Sequence, residues 1–356
     1  MNIYFWRFAS LLDNVVPFTS NQCLLTPDTS RICGVNSIDT SIKLAQLIFA
    51  HSNPGAVILL NKNEIFDAIT ASSLLHHPIN APILFTERFE LNRKTLDEIL
   101  RLKPKGYNEI DVILVGNLSR NIQRQLNYAG LNTYHIFGRN HYETACNIFD
   151  FKHDTKNILI VSGENYQEIL PVAYFSAHHG DSILFVNNNK IPYCTLERIK
   201  KITGVNVYII GSSKNISNLV EQTIGKLPNI SSVQRIDGMD PYTLAVNFSK
   251  YIDSNNNFGW GRSYRDGHAF TFGTLNNAME VAAGVVLAHM GKHTPLLLVN
   301  QNSVPEVVKQ YIKSIKPLMP ATPRPPFMHG FIIGCTSYIT KNCQFELGSL
   351  LSIDSM

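Results

Sequence analysis

Three segments of this chain share one head pattern: Arg31-Ile-Cys-Gly-Val-Asn-Ser-Ile-Asp-Thr-Ser41, His135-Ile-Phe-Gly-Arg-Asn-His-Tyr-Glu-Thr-Ala145 and Arg235-Ile-Asp-Gly-Met-Asp-Pro-Tyr-Thr-Leu-Ala245. They start at residues 31, 135 and 235, which is 104 and 100 residues apart. The same order of elements follows each head. A helix-like stretch leads to an apolar strand: Ala56–Leu60, Asn157–Val161 or His268–Phe272. A polar turn then enters an Ala-rich helix carrying Asp67-Ala-Ile, Glu168-Ile-Leu or Asn277-Ala-Met. A second strand follows (Pro82–Thr86, Ser182–Val186, Pro295–Val299), then a helix, then a third strand closed by glycine at Gly116, Gly211 or Gly334. Self-similarity at a fixed period must be settled before any single motif, because each repeat is one structural unit.

Short continuous apolar strands alternating with helices are the pattern of parallel sheets covered on both faces. Right-handed crossovers place the helices on those two faces. The expected fold is therefore α/β, with three tandem Rossmann-like modules holding small parallel sheets. The boundaries follow the heads: an N-terminal extension over 1–30, then modules over 31–134, 135–234 and 235–356. The third module carries an inserted loop at 253–267, since its helix motif lies 109 residues after Glu168, whereas Glu168 lies 101 after Asp67. The chain leading into each head is expected to complete a sheet of the preceding unit. The extension is expected to pack on the first or last module.

Composition sets limits around this. A hydrophobic fraction of 44% in 356 residues excludes wholesale disorder. No apolar run reaches the roughly 18–20 residues of a membrane helix, so no membrane span is expected. The 31 Lys and Arg against 27 Asp and Glu give +4, spread along the chain. That argues against a nucleic-acid partner, whose basic residues would be clustered, and permits an anionic polymer. The first 20 residues lack signal-peptide order, because Arg7 follows the aromatic stretch. Either export does not use this segment or the native start differs. The six cysteines form no CxxC pair and no zinc spacing, so neither metal nor cofactor is expected. Buried free thiols are the main expectation, with a local Cys335–Cys343 bridge the alternative.

The repeats resemble the cell-wall-binding repeat 2 family of Gram-positive surface proteins, whose pattern runs approximately R-I-x-G-x-x-R-Y-E-T-A, then D-A-L, then P-I-L-L-T, then G-G. Tyr142, Glu143 and Thr144 match the head in the middle copy. Asp67 matches the helix motif, with Glu168 its counterpart in the second copy and Asn277 in the third. The head's second Arg is replaced by Ser37, His141 and Pro241, and the late second Gly by Asn117, Ser212 and Cys335. The resemblance implies modules around a pseudo-threefold axis, a place at the cell surface or wall, and non-covalent binding of an anionic wall polymer or glycan.

Three sets of residues are candidates. In the heads, Glu143 and Thr144 suit a helix start, as an acid near the positive end of the dipole and a capping hydroxyl. Arg31, Arg139 and Arg235 are placed to reach phosphate or carboxylate groups, for which the guanidinium fork is suited. Histidines recur after equivalent helices at His76-His77, His178-His179 and His289. Three converging imidazoles would suit a transition metal, while single ones simply complement helix C-termini. In the inserted loop, Trp260, Arg262, Tyr264 and Arg265 could stack on sugars and pair with anions, or stand as a surface loop. Glu64 and Asp67 are expected to solvate a turn instead of forming an acid–base pair. The Pro-rich stretch Pro317–Pro326 is expected to be a semi-rigid connection.

Catalytic motifs are missing: there is no GxGxxG after the first strand, GxxxxGK[ST], GxSxG or HExxH. The first expectation is thus a non-catalytic binding protein. One alternative is an α/β enzyme or nucleotide-sugar binder with its site after Leu60, Val161 or Phe272. Another is a self-assembling surface or filament scaffold.

Overall fold

The computed structural model describes residues 25–152, 156–290, 293–317 and 328–353. Most of the N-terminal extension, with Cys23, and nearly all of the Pro-rich stretch lie outside these residues.

Three four-stranded parallel arrangements share one topology. The first sheet orders β3 (Val57–Asn61), β4 (Ile83–Thr86), β5 (Val112–Val115) and β6 (Thr133–Ile136) as β4-β3-β5-β6. The second orders β7 (Asn157–Ser162), β8 (Ser182–Val186), β9 (Val205–Ile210) and β10 (Ile230–Ile236) as β8-β7-β9-β10. The third joins β11 (Ala269–Gly273), β12 (Leu296–Leu298) and β13 (His329–Ile333) to β2 (Thr29–Ile32) from the start of the chain. A two-residue strand, β1 (Leu25–Thr26), adds antiparallel to β2 at the edge. The central strands are buried along their whole length, as Val-Ile-Leu-Leu-Asn of β3 illustrates. That is why they read as unbroken apolar runs instead of alternating ones.

In every sheet the last strand carries the head of the next repeat. Arg31 pairs in register with Ile332, His135 with Leu114 and Arg235 with Ile209. The boundaries drawn at 31, 135 and 235 therefore cut through a strand. Sequence similarity marks the phase of the repeat, whereas hydrogen bonding assigns the head strand to the preceding sheet. The three modules close into a ring, because β2 completes the last sheet about 300 residues away.

The Ala-rich helices meet at the centre of that ring. They are α2 (Ile65–Ala71), extended by a 3-10 turn over Ser72–Leu74, α6 (Leu170–His179), and the pair α10 (Ala278–Ala283) and α11 (Val286–His289). Each packs on the other two. Helix α6 is buried from Leu170 to Ala177, as a helix apolar all round must be. The Tyr174 hydroxyl donates to the Val281 carbonyl at 2.7 Å, and a Cβ on Gly284 would come within 2.4 Å of that hydroxyl. One continuous apolar core runs through all three modules, with smaller clusters under the second and third sheets.

A cleft between the first two modules

Every junction between modules is assembled from three equivalent parts. The first is the glycine after the third strand, Gly116, Gly211 or Gly334, at φ of 75°, 143° and 115°. The second is the polar residue of the central helix, and the third is the first residue of the following head. Asp67 sits against Gly116 so closely that a Cβ there would fall 1.9 Å from its Oδ2. Glu168 accepts from the Ser212 amide and hydroxyl, each at 2.9 Å. Asn277 donates to the Ile333 carbonyl at 3.2 Å. From the head side, His135, Arg235 and Arg31 hydrogen-bond the glycine carbonyl at 2.9, 2.9 and 2.7 Å respectively.

This corrects the role expected of two arginines. Arg31 is 1% exposed, and its Nε donates to Gln344 Oε1 at 2.9 Å. Arg235 is mostly buried, and its Nε donates to Glu221 Oε2 at 2.8 Å. Both brace strand ends inside a junction instead of facing a ligand. Gln344 and Glu221 are each the fourth residue of the helix after the closing glycine, α13 (Lys341–Leu351) and α8 (Asn218–Gly225). The fourth residue of α4 (Arg120–Tyr128) is Gln123, which turns instead to Thr133 Oγ1 at 3.2 Å. The shorter His135 takes the glycine carbonyl but does not reach across.

Where the first junction lacks that brace, a cleft of about 750 Å³ opens. It lies beyond the carboxyl ends of β3 and β5, the point at which the order β4-β3-β5 reverses direction. Ligands of open α/β sheets bind at such switch points. Glu64 and Asp67 line it from α2, Arg120 and Gln123 from α4, and His135, Arg139, His141 and Thr144 from the second head. Asp67 is 5% exposed and its Oδ1 is buried without a hydrogen-bond partner. Burial, reinforced by the charge of Glu64, pushes its pKa up to about 7 against the lowering effect of the Asn117 amide and the Thr144 hydroxyl. Asp67 thus does not solvate a turn, as its spacing from Glu64 implied. Burial also holds His135 and His141 below the usual imidazole range.

The middle head behaves as a helix start. The Thr144 hydroxyl accepts from the Gly138 amide at 3.1 Å, as Thr40 does from Gly34 at 2.8 Å, at the entries to α5 (His141–Lys152) and α1 (Ser37–Ile48). Glu143 pairs with exposed Arg139, with Nη2 to Oε1 at 2.5 Å. Arg139 also borders a neighbouring hollow with Arg198 and Tyr193. Tyr142 reaches that hollow as well and takes a hydrogen bond from Asn187 at 2.9 Å. Among the described residues Arg120, which sequence inspection overlooked, has no ion-pair partner. His135 was also overlooked, although its alignment with Arg31 and Arg235 marked it.

The inserted loop departs from expectation. Trp260 is 7% exposed and stacks on His178 with ring centroids 4.6 Å apart. Phe258 is 1% exposed and lies flat on Tyr208. These rings cover α6, which needs an apolar cover on every side, so Trp260 is packed inward and not presented at the loop surface. Arg262 is half-buried, with its Nη2 on the His293 carbonyl at 3.2 Å. Tyr264 and Arg265 remain exposed.

The repeated histidines do approach one another. His76 and His289 lie 4.9 Å apart, and the Nδ1 atoms of His178 and His293 are 3.0 Å apart. Among the described residues, however, no group of three His, Cys, Asp or Glu is arranged to hold a metal ion. Cys335 and Cys343 turn to different carbonyls, Gly34 at 3.0 Å and Asn300 at 3.6 Å, and are free thiols. No helix among the described residues is long and apolar enough to cross a membrane.

A ring of small parallel α/β sheets with glycine-closed junctions defines a tandem α/β repeat protein. Residues 31–120 and 135–221 match cell wall binding domain 2 (CWB2), and the chain belongs to that family. It is 29% identical over 322 residues to the amidase enhancer of Bacillus subtilis (strain 168), covering 90% of this chain and 40% of that protein. It is 28% identical over 226 residues to N-acetylmuramoyl-L-alanine amidase LytC of the same organism, covering 63% of this chain and 43% of the relative. The chain thus spans less than half the length of these curated relatives. Among solved structures, Cwp6 from Clostridium difficile superposes with a TM-score of 0.76 at 18% identity, over 94% of this chain and 50% of that one. That likeness extends the shared fold through the third module.

Proposed function

We propose that this chain is a non-catalytic attachment module that holds an anionic cell-wall glycopolymer in the cleft between its first two modules. The observation that carries this is the cleft itself. It is a switch-point cavity of about 750 Å³, bordered by Arg120 and Arg139 and floored by a buried, under-bonded carboxyl at Asp67. Arginine forks can take phosphate or carboxylate groups at the mouth, while Asp67 in its acid form donates to a hydroxyl or anion deeper in. Family membership supports the cell wall as the place of action. Two relatives with different names share this portion of chain, which fits a part that attaches while the remainder differs.

Co-sedimentation with purified cell walls, before and after removal of their anionic polymer, tests the reading. The chain is expected to sediment with intact walls and to stay in solution with stripped ones. Arg120→Glu and Arg139→Glu should each lower the bound fraction about ten-fold, as loss of a charged contact does. Equal sedimentation with both wall preparations overturns the proposal.

A further inference from the structure

A second cavity, of about 470 Å³, opens at the amino ends of the strands, on the opposite side of the sheets from the cleft. Its walls come from the turns before β4 and β5, the end of α5, the starts of β7 and β8, and the inserted loop of the third module. All three modules thus contribute. The insertion that breaks the repeat supplies Asn256 and Asn257, not the aromatic residues its sequence advertised.

The lining has three kinds of surface. Tyr107 and Phe151 meet edge to face at 6.4 Å and present aromatic rings. Asn256 and Asn257 present amides. Asn256 is tied to Asp253 at 2.7 Å, and Asn257 holds a left-handed φ of 51° while its backbone is hydrogen-bonded by His179. Among the described residues Asp181 is the carboxylate of the wall, and it is answered by His179 Nδ1 at 2.9 Å. Lys152 is engaged by the Ser73 and Gly180 carbonyls. Lys156 and His77 are exposed, and among the described residues neither side chain has a hydrogen bond or an ion pair.

An aromatic surface packs against the C–H faces of a sugar ring, amides serve its hydroxyls, and an exposed ammonium group takes an acidic substituent. We propose that this cavity binds a saccharide unit bearing a phosphate or carboxylate group. The inference does not rest on the reading of the cleft, because no lining residue is shared between the two sites.

Titration calorimetry of the full chain with glucose 6-phosphate, glucose and inorganic phosphate tests it. Glucose 6-phosphate is expected to bind, and glucose and inorganic phosphate each about ten-fold more weakly. Lys156→Glu should weaken glucose 6-phosphate about ten-fold, while Lys156→Arg retains it. Tyr107→Ala should also weaken it with an unchanged far-ultraviolet spectrum. Arg120→Glu should leave this binding intact even where it abolishes wall sedimentation. Absence of binding, or affinity unaffected by Lys156→Glu, overturns the proposal. Loss with Arg120→Glu instead would move the ligand to the cleft, and inorganic phosphate binding equally tightly would remove the saccharide.

Discussion

Asp67 is a carboxyl group held where its charge is disfavoured. Its pKa of about 7 in the folded chain contrasts with about 3.9 for an unfolded aspartate. Between those values the folded chain keeps a proton that the unfolded chain has released. Stability from this site is therefore full below about pH 4 and is lost as pH rises toward 7. The bound is on the order of 4 kcal/mol, three units at about 1.4 kcal/mol each. Asn277, which stands at the same place in the third module, uses an amide and carries no such cost. Asp67→Asn is accordingly expected to stabilise the chain by roughly 1–3 kcal/mol at pH 8 and to change it little at pH 4.5. Urea unfolding at the two pH values checks this, and equal shifts at both would contradict it. Because the Asn amide still donates where the acid did, wall binding should survive this substitution. Stability given up within a cleft fits a site kept for binding.

At the level of helices, the ends of α6 and α11 gather basic groups. Burial pushes His178 down to about 3 and His289 to about 4. Their neighbours are basic too: His293, His179, Arg262 and His76 surround His178, and His76, His293 and His77 surround His289. The nearby carboxylate, Asp181, is already paired with His179. A histidine whose folded pKa is depressed contributes stability above its unfolded value, about 6.5, and loses it as pH falls toward the folded one. The helix ends should thus loosen between about pH 6.5 and 4. His178→Phe keeps a ring on Trp260 and removes one titrating group. It is expected to shrink the drop in urea midpoint between pH 7 and pH 4.5, and an unchanged drop would show that the cluster does not titrate on folding. Little of this was legible beforehand. The element order was, because buried parallel strands leave continuous apolar runs and the repeat supplies three copies. The fate of Arg31 was not, since it depends on pairing with Ile332 at the far end of the chain. Nor was that of Trp260, whose Gly- and Asn-rich neighbours resemble a solvated loop until α6 demands a cover. Asp67 could be named from its motif, yet its burial is set by the missing side chain of Gly116.

Taken as a whole, the molecule is a ring whose closure depends on four residues. Strand β2 is buried throughout, hydrogen-bonds β13 and delivers Arg31 to the Gly334 carbonyl. Without it, β13 becomes the edge of the third sheet and Gln344 and Gly334 lose a buried donor. Each unmet buried group costs about 1–3 kcal/mol, and the strand's own ladder adds to that. Removing residues 1–34 should therefore destabilise the chain by on the order of 5 kcal/mol. Removing residues 1–24 leaves β1 and β2 in place and serves as the control. Because one core links all three modules, the loss should not stay in the third. Far-ultraviolet dichroism, which reports on every module, and the fluorescence of Trp260, in the third, are expected to give coincident urea transitions in the chain lacking 1–24. In the chain lacking 1–34 both should move to lower urea together, and light scattering should register association through the exposed edge of β13. If the two truncations unfold at the same midpoint, β2 is an appendage and the ring is held by the central helices alone. If only the Trp260 signal moves, the modules are independent units despite their shared core.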